Sequence, residues 1–302
     1  MLQPPILQTG DKAVILSPAG KIDAGLVAKA ADLLCDWGLG VEISENALCR
    51  TGRFSGFVEQ RLADLQRAMD DPEVKLIFCS RGGYGTVHLL DKLDFTGIRQ
   101  YPKWIVGYSD ITVLHATLQQ HGIMSVHGPM AKHFAEEGPG DISVRFTKTI
   151  LAGEPVFYDI PVAKYAYLNR KGKASGRLFG GNLSVFCGIL GTRFAYLPKN
   201  GILFIEDIGE EPYKIDRYIN QLKLAGIFDR ISGLIVGQFS DYTEDNDMYS
   251  ALYESIASVV TGYDFPVCFD FPAGHVKHNF PLVMGKTAKL VVKEDQLIFK
   301  QS

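Results

Sequence analysis

The chain has 302 residues, 46% of them hydrophobic and 22% charged, with 31 Gly, 14 Pro and a net charge of -3. That composition is typical of a soluble globular protein, long enough for two domains or one large one, and able to bury a core without disulfides or structural metal. The near balance of charges disfavours nucleic acid as a partner, and the absence of any run of 18 or more apolar residues disfavours membrane spanning.

The opening Met1-Leu2-Gln3-Pro4-Pro5 does not read as a signal peptide. Cys35, Cys49, Cys79, Cys187 and Cys268 are odd in number and lack CxxC spacing. The expectation is a cytoplasmic protein with reduced, mostly buried thiols and neither a disulfide framework nor a zinc site.

In chain order, Ala13-Val14-Ile15-Leu16 predicts a strand ending in Ser17-Pro18-Ala19-Gly20. Apolar residues from Leu26 to Trp37 then recur at helical spacing up to Gly38. The unit repeats as a strand at Val41–Ile43, a helix with Val58, Leu62, Leu65 and Met69 on one face, and a strand at Leu76–Cys79. Next come a strand at Trp104–Gly107, a helix with Ile111, Leu114 and Leu118, and an extended Met124–His127. Alternation of this kind implies a parallel sheet covered on both faces.

After about residue 135 the texture changes, with a helix ending at Leu151 and extended chain over Val156–Ile160. The boundaries expected are an α/β domain over 1–150, a linker region over 151–174 and a second, smaller mixed α/β domain over 175–302. That second domain should hold strands at Ile202–Ile205, Leu234–Val236 and Val267–Phe269, and helices over Ile215–Leu222 and from about Met248 to Val260. A hairpin over Ala288–Lys300 should close it.

In open parallel sheets, function gathers where loops leave the carboxyl ends of strands, so those junctions are the candidate sites. Gly107-Tyr108-Ser109-Asp110 links a strand to a helix. On such a sharp turn Ser109 could project a nucleophilic hydroxyl with the Asp110 amide facing an oxyanion, or could simply cap the helix. Ile111 stands where a G-x-S-x-G elbow would have its second Gly.

Ser80-Arg81-Gly82-Gly83-Tyr84-Gly85-Thr86 could be a tight turn, a phosphate cradle or a second source of oxyanion donors, with Arg81 or Tyr84 touching substrate. A Rossmann or P-loop pattern is missing. Glu206, at the end of an apolar strand, could orient a histidine or cap a helix, and Glu210 and Glu211 suit capping better. His275, directly behind Gly274, is well placed for a general base. His278, His127 and His133 are less so, and a metal reading of His275 and His278 lacks a third ligand.

Together, Ser17-Pro18-Ala19-Gly20, Ser80 to Gly85, Gly107 to Asp110, Gly180-Gly181-Asn182-Leu183, Phe204 to Asp207 and Gly274-His275 resemble, in order and across nearly the whole chain, the LD-carboxypeptidase family of serine peptidases. That family includes the microcin C immunity peptidases. The resemblance implies a flavodoxin-like N-terminal domain bearing the nucleophile and a C-terminal domain bearing Glu and His. By motif, Ser109 would be the nucleophile, His275 the general base and Glu206 its partner, with the Asp110 and Gly83 amides as the oxyanion hole. Arg81, Tyr84 and Asn182 would contact substrate. The implied reaction is release of terminal D-alanine from murein tetrapeptide during peptidoglycan recycling, in the cytoplasm, by a homodimer and without cofactor or metal.

The alternative within the family is an immunity-type peptidase acting on peptidyl or aminoacyl nucleotides. Outside it, the rivals are a thiol enzyme such as an amidotransferase using Cys79, and a binding module without catalysis.

Overall fold

A computed structural model describes every residue except 162, 163, 246, 249 and 302. The elements run β1 (Lys12–Leu16), α1 (Ala24–Asp36), β2 (Gly40–Ile43), α2 (Val58–Asp70), β3 (Val74–Cys79), α3 (Thr96–Gln100), β4 (Trp104–Gly107), α4 (Thr112–Gln120), β5 (Ser125–His127), α5 (Ala131–Glu137) and α6 (Ile142–Leu151). They continue with β6 (Val156–Pro161), β7 (Gly172–Asn182), α7 (Leu183–Ile189), β8 (Gly201–Ile208), α8 (Pro212–Leu224), β9 (Ile231–Ser240), α9 (Leu252–Val259), β10 (Val267–Cys268), β11 (Leu282–Met284), β12 (Thr287–Val292) and β13 (Gln296–Gln301). Among the described residues no helix is long and apolar enough to cross a membrane.

Two compact units divide the chain. The first comprises Met1–Glu154 with His278–Gly285, and the second Pro155–Lys277 with Lys286–Ser302. The sheet of the first unit has the order β2-β1-β3-β4-β5-β11, parallel except for the antiparallel edge strand β11. With β11 set aside this is the flavodoxin-like order, whose topological switch lies between β1 and β3. β3 and β4 are buried almost throughout, as strands covered on both faces must be. On α1, Asp23 accepts the Gly25 N–H at the N-cap, the face carrying Val27, Ala30, Leu33 and Leu34 is buried, and Gly38 follows the last turn at φ 88°.

The second unit is built on a sheet ordered β10-β9-β8-β7-β12-β13-β6. Its half from β7 to β10 is parallel, and β12, β13 and β6 add antiparallel strands. Phe179, Phe186, Leu203, Ile219, Leu234 and Phe269 are among its buried core residues.

The region read as a linker, 151–174, contains β6, which pairs with β13 in the second unit. Residues 278–285, read as C-terminal domain, supply β11 to the first unit's sheet. The helix expected from 248 is confined to Leu252–Val259, and position 249 lies outside the described residues.

Candidate active site

Ser109 follows the extended Tyr108 and opens a 3-10 turn, Ser109–Ile111, that runs into α4. Its φ is 65°, the left-handed region that costs a residue with a Cβ about 1–3 kcal/mol. Neither that turn nor α4 has a side-chain cap, so Ser109 is not serving as an N-cap. The Gly before the elbow is required sterically, because a Cβ on Gly107 would stand 2.9 Å from Ile111 Cγ1 and 3.2 Å from Cys79 Cβ. Ile111 is fully buried, so it packs onto Gly107 where the usual elbow would have its second Gly.

The loop after β3 lies directly against this serine: a Cβ on Gly82 would fall 2.7 Å from Ser109 Cβ and 2.8 Å from Ser109 Oγ. Buried Asp110 accepts the Thr86 N–H at 2.8 Å and so ties the far end of that loop to the elbow. The end of β1 is tied in as well, through Ser17 Oγ to Ser80 Oγ at 2.6 Å and Gly20 N–H to Gly82 O at 3.2 Å.

Two buried residues that the sequence reading did not single out hold this assembly. Arg61, on α2, donates from Nη1 to Pro18 O at 2.7 Å and to Gly85 O at 2.8 Å. It lies at helical spacing on the same stripe as Val58 and Leu65, and a cation on an apolar stripe was the available signal. Arg61→Met is expected to cost about 3 kcal/mol of unfolding free energy, because two carbonyls lose a charged donor; urea denaturation checks it.

His115 bridges Ser125 Oγ and Gly107 O, both at 2.8 Å. Burial pushes its pKa down to about 4, so it is neutral near pH 7, with Nε2–H donating to Gly107 O and Nδ1 accepting from Ser125. This fixes the end of β4 immediately before the elbow. Cys79 is fully buried and burial pushes its thiol up to about 12, which removes the thiolate that a Cys79 enzyme would need.

Beside the loop after β3 the first unit has an open pocket of about 600 Å³ lined by Gly20, Lys21, Arg53, Arg81, Gly83 and Tyr84. It sits at the carboxyl ends of β1 and β3, the switch point of the sheet. Arg81 Nη1 donates to Lys21 O at 3.2 Å, and Tyr84 is 47% exposed.

In the second unit, β8 ends in two acids whose side chains take opposite faces of the strand. Glu206, 0% exposed, accepts from His275 Nδ1 at Oε2, 2.8 Å away. Its Oε1 is buried without a hydrogen-bond partner among the described residues. Gly274 has φ 124°, and a Cβ there would lie 2.8 Å from Glu206 Oε2, so only glycine lets the histidine loop approach this closely. Burial works against a charged His275, but the Glu206 charge and hydrogen bond, with help from Asp207 and Asp241, outweigh it, and the imidazole pKa rises above its ordinary value.

Asp207 turns to α7, accepting from Asn182 Nδ2, Ser184 N and Ile208 N. Burial, then the neighbouring Glu206, raises its pKa to about 6. Asn182 is 3% exposed and caps α7, its side chain accepting from Val185 N, which anchors the helix after β7. Glu210 pairs with Lys214 at 3.5 Å. His133 and His278 both face Asp141, at 3.2 and 3.6 Å, and His127 lies buried beside the Tyr108 ring. Among the described residues no group of His, Cys, Asp or Glu is arranged to hold a metal ion.

Two family models, the LD-carboxypeptidase N-terminal domain and the LD-carboxypeptidase C-terminal domain, match residues 14–128 and 175–290. The chain belongs to the LD-carboxypeptidase family.

It is thus a serine-type carboxypeptidase, a hydrolase. A Bacillus subtilis protein named a probable murein peptide carboxypeptidase is 32% identical, with 99% of this chain and 94% of that one covered. The crystal structure of muramoyltetrapeptide carboxypeptidase from Oxalobacter formigenes is 28% identical with a TM-score of 0.88, covering 96% of this chain and 98% of that one. The microcin C7 self-immunity protein, solved with aspartyl sulfamoyl adenosine, shares the fold at 22% identity and a TM-score of 0.89, over 100% and 99% of the two chains.

In this LD-carboxypeptidase, Gly82→Ala should press a methyl group into Ser109 and lower kcat by about a hundredfold, the scale of a misplacement near 1 Å. Steady-state kinetics beside a thermal melt separate that effect from unfolding.

Proposed function

We propose that the protein removes the terminal D-alanine of murein tetrapeptide by cleaving an L-to-D peptide bond. The first unit would supply Ser109 as nucleophile, and the second His275 as base with Glu206 as its partner. The observation that carries this reading is the 2.8 Å bond from His275 Nδ1 to buried Glu206 Oε2, in a chain whose Ser109 stands in a left-handed elbow. With Nδ1–H held by the carboxylate, the lone pair of the neutral ring is on Nε2, the nitrogen that takes a serine proton in a triad.

In the first step Ser109 Oγ attacks the carbonyl of the third residue as its proton passes to His275 Nε2, and Glu206 stabilises the resulting imidazolium. The oxyanion is met by the amides of Asp110 and Gly83, donors of a kind worth about 3–4 kcal/mol each. The imidazolium then protonates the departing amine of D-alanine. Water, deprotonated by the same histidine, resolves the acyl-enzyme. Arg81 offers a planar guanidinium for the free terminal carboxylate, with Tyr84 beside it.

By the family resemblance the enzyme acts in the cytoplasm as a homodimer.

Incubation with murein tetrapeptide should give free D-alanine and a tripeptide, each identified by mass spectrometry. An intact tetrapeptide alongside a cleaved aminoacyl adenylate analogue would replace this reading with the immunity-type activity.

A further inference from the structure

The pocket beside the loop after β3 carries more positive charge than one terminal carboxylate requires. The antiparallel bridge between Gly20 and Phe54 sets Lys21 across from Arg53, and the Lys21 N–H donates to Arg53 O at 3.2 Å. Like charges facing one another across a strand pair are destabilising. No acid lines the pocket, and among the described residues no ion pair includes Lys21, Arg53 or Arg81. Neighbouring Arg50, by contrast, has Asp23 at 3.7 Å. Three cations therefore line an open pocket whose wall includes Gly83, the residue next to the glycine packed against Ser109.

We propose that Lys21 and Arg53 bind a second free carboxylate of the peptide, on the acyl side of the scissile bond, and so select substrates that carry one. This rests on the peptidase reading above, in which Arg81 takes the terminal carboxylate. Two groups of a murein peptide have the required chemistry: a carboxylate on the side chain of the third residue, as in diaminopimelate but not lysine, and the free carboxylate of the second residue. A lone side-chain ammonium, the lysine case, meets repulsion from the same cations.

The test compares kcat/KM for the diaminopimelate tetrapeptide, the same peptide amidated at the third-residue side chain, and the same peptide amidated at the second residue. It uses the wild-type enzyme, Arg53→Gln and Lys21→Gln. One of the amides should be about tenfold or more poorer with wild type, chiefly through KM, as expected for loss of a charge-assisted contact. The gap should shrink to about twofold in both variants, and the amide that shows it identifies the carboxylate. Equal rates on all three peptides, or a gap that survives both substitutions, would overturn the assignment while leaving the peptidase reading intact. Failure of the wild type to cleave any of them would remove that reading and this inference together.

Discussion

Ser109→Ala is expected to lower kcat on murein tetrapeptide by roughly 10⁴- to 10⁶-fold, because nucleophile and base act as a unit and loss of one forfeits nearly the whole. Folding should survive, since alanine meets the same left-handed backbone as serine and loses only the hydroxyl. Ser109→Gly sharpens the test. Glycine takes φ near 65° without strain, so this variant should be about 1 kcal/mol more stable than wild type in urea and equally inactive. Gain of stability with loss of activity is what a strained functional residue gives, and a serine in an unstrained structural turn would give neither.

Glu206→Gln is expected to reduce kcat by about 10³- to 10⁴-fold, the scale seen when the orienting carboxylate of a triad becomes an amide. Its pH dependence carries the sign. In the wild type His275 has a raised pKa, so the neutral form that the proposed base needs is lost as pH falls through a value above 6.5, and the acid limb of kcat/KM should lie there. The amide removes the charge that raised it and leaves burial, which opposes the charged ring, so the acid limb of the variant should move to lower pH. Stability follows the same linkage. A folded pKa above the unfolded one contributes stability that is fully present below about 6.5 and lost as pH rises through the folded value. The stability advantage of wild type over Glu206→Gln should therefore be greatest in mild acid, which denaturation at several pH values checks.

The elements were legible in the sequence where apolar periodicity is local. β3, β4 and α2 carry their pattern within a dozen residues, and the structure has them where that pattern puts them. β11 was missed because Leu282-Val283-Met284 is only three residues long, and its antiparallel place beside β5 is set by tertiary packing that no local pattern records. The linker expected over 151–174 failed for a similar reason, since β6 finds its partner β13 at the opposite end of its unit.

The candidate site divides along the same line. Glu206 and His275 are 69 residues apart, so in the sequence neither alone is more than an acid and a loop histidine, and only the order of the family's motifs links them. Arg61 and His115 hydrogen-bond backbone carbonyls and a serine at the elbow's supports, and such positioning roles leave little trace beyond a polar residue on an apolar stripe. Asn182 shows the reverse: in a motif it reads as a substrate contact, and in the fold it also caps a helix.

Reaction with a fluorophosphonate, followed by peptide mapping, addresses the triad most directly, since this reagent phosphonylates only a serine that a neighbouring base activates. The modification should fall on the peptide holding Ser109 in the wild type and be absent from His275→Gln at equal exposure. Modification of another serine with loss of activity, or undiminished labelling of Ser109 in the His275→Gln protein, would contradict an imidazole-activated Ser109.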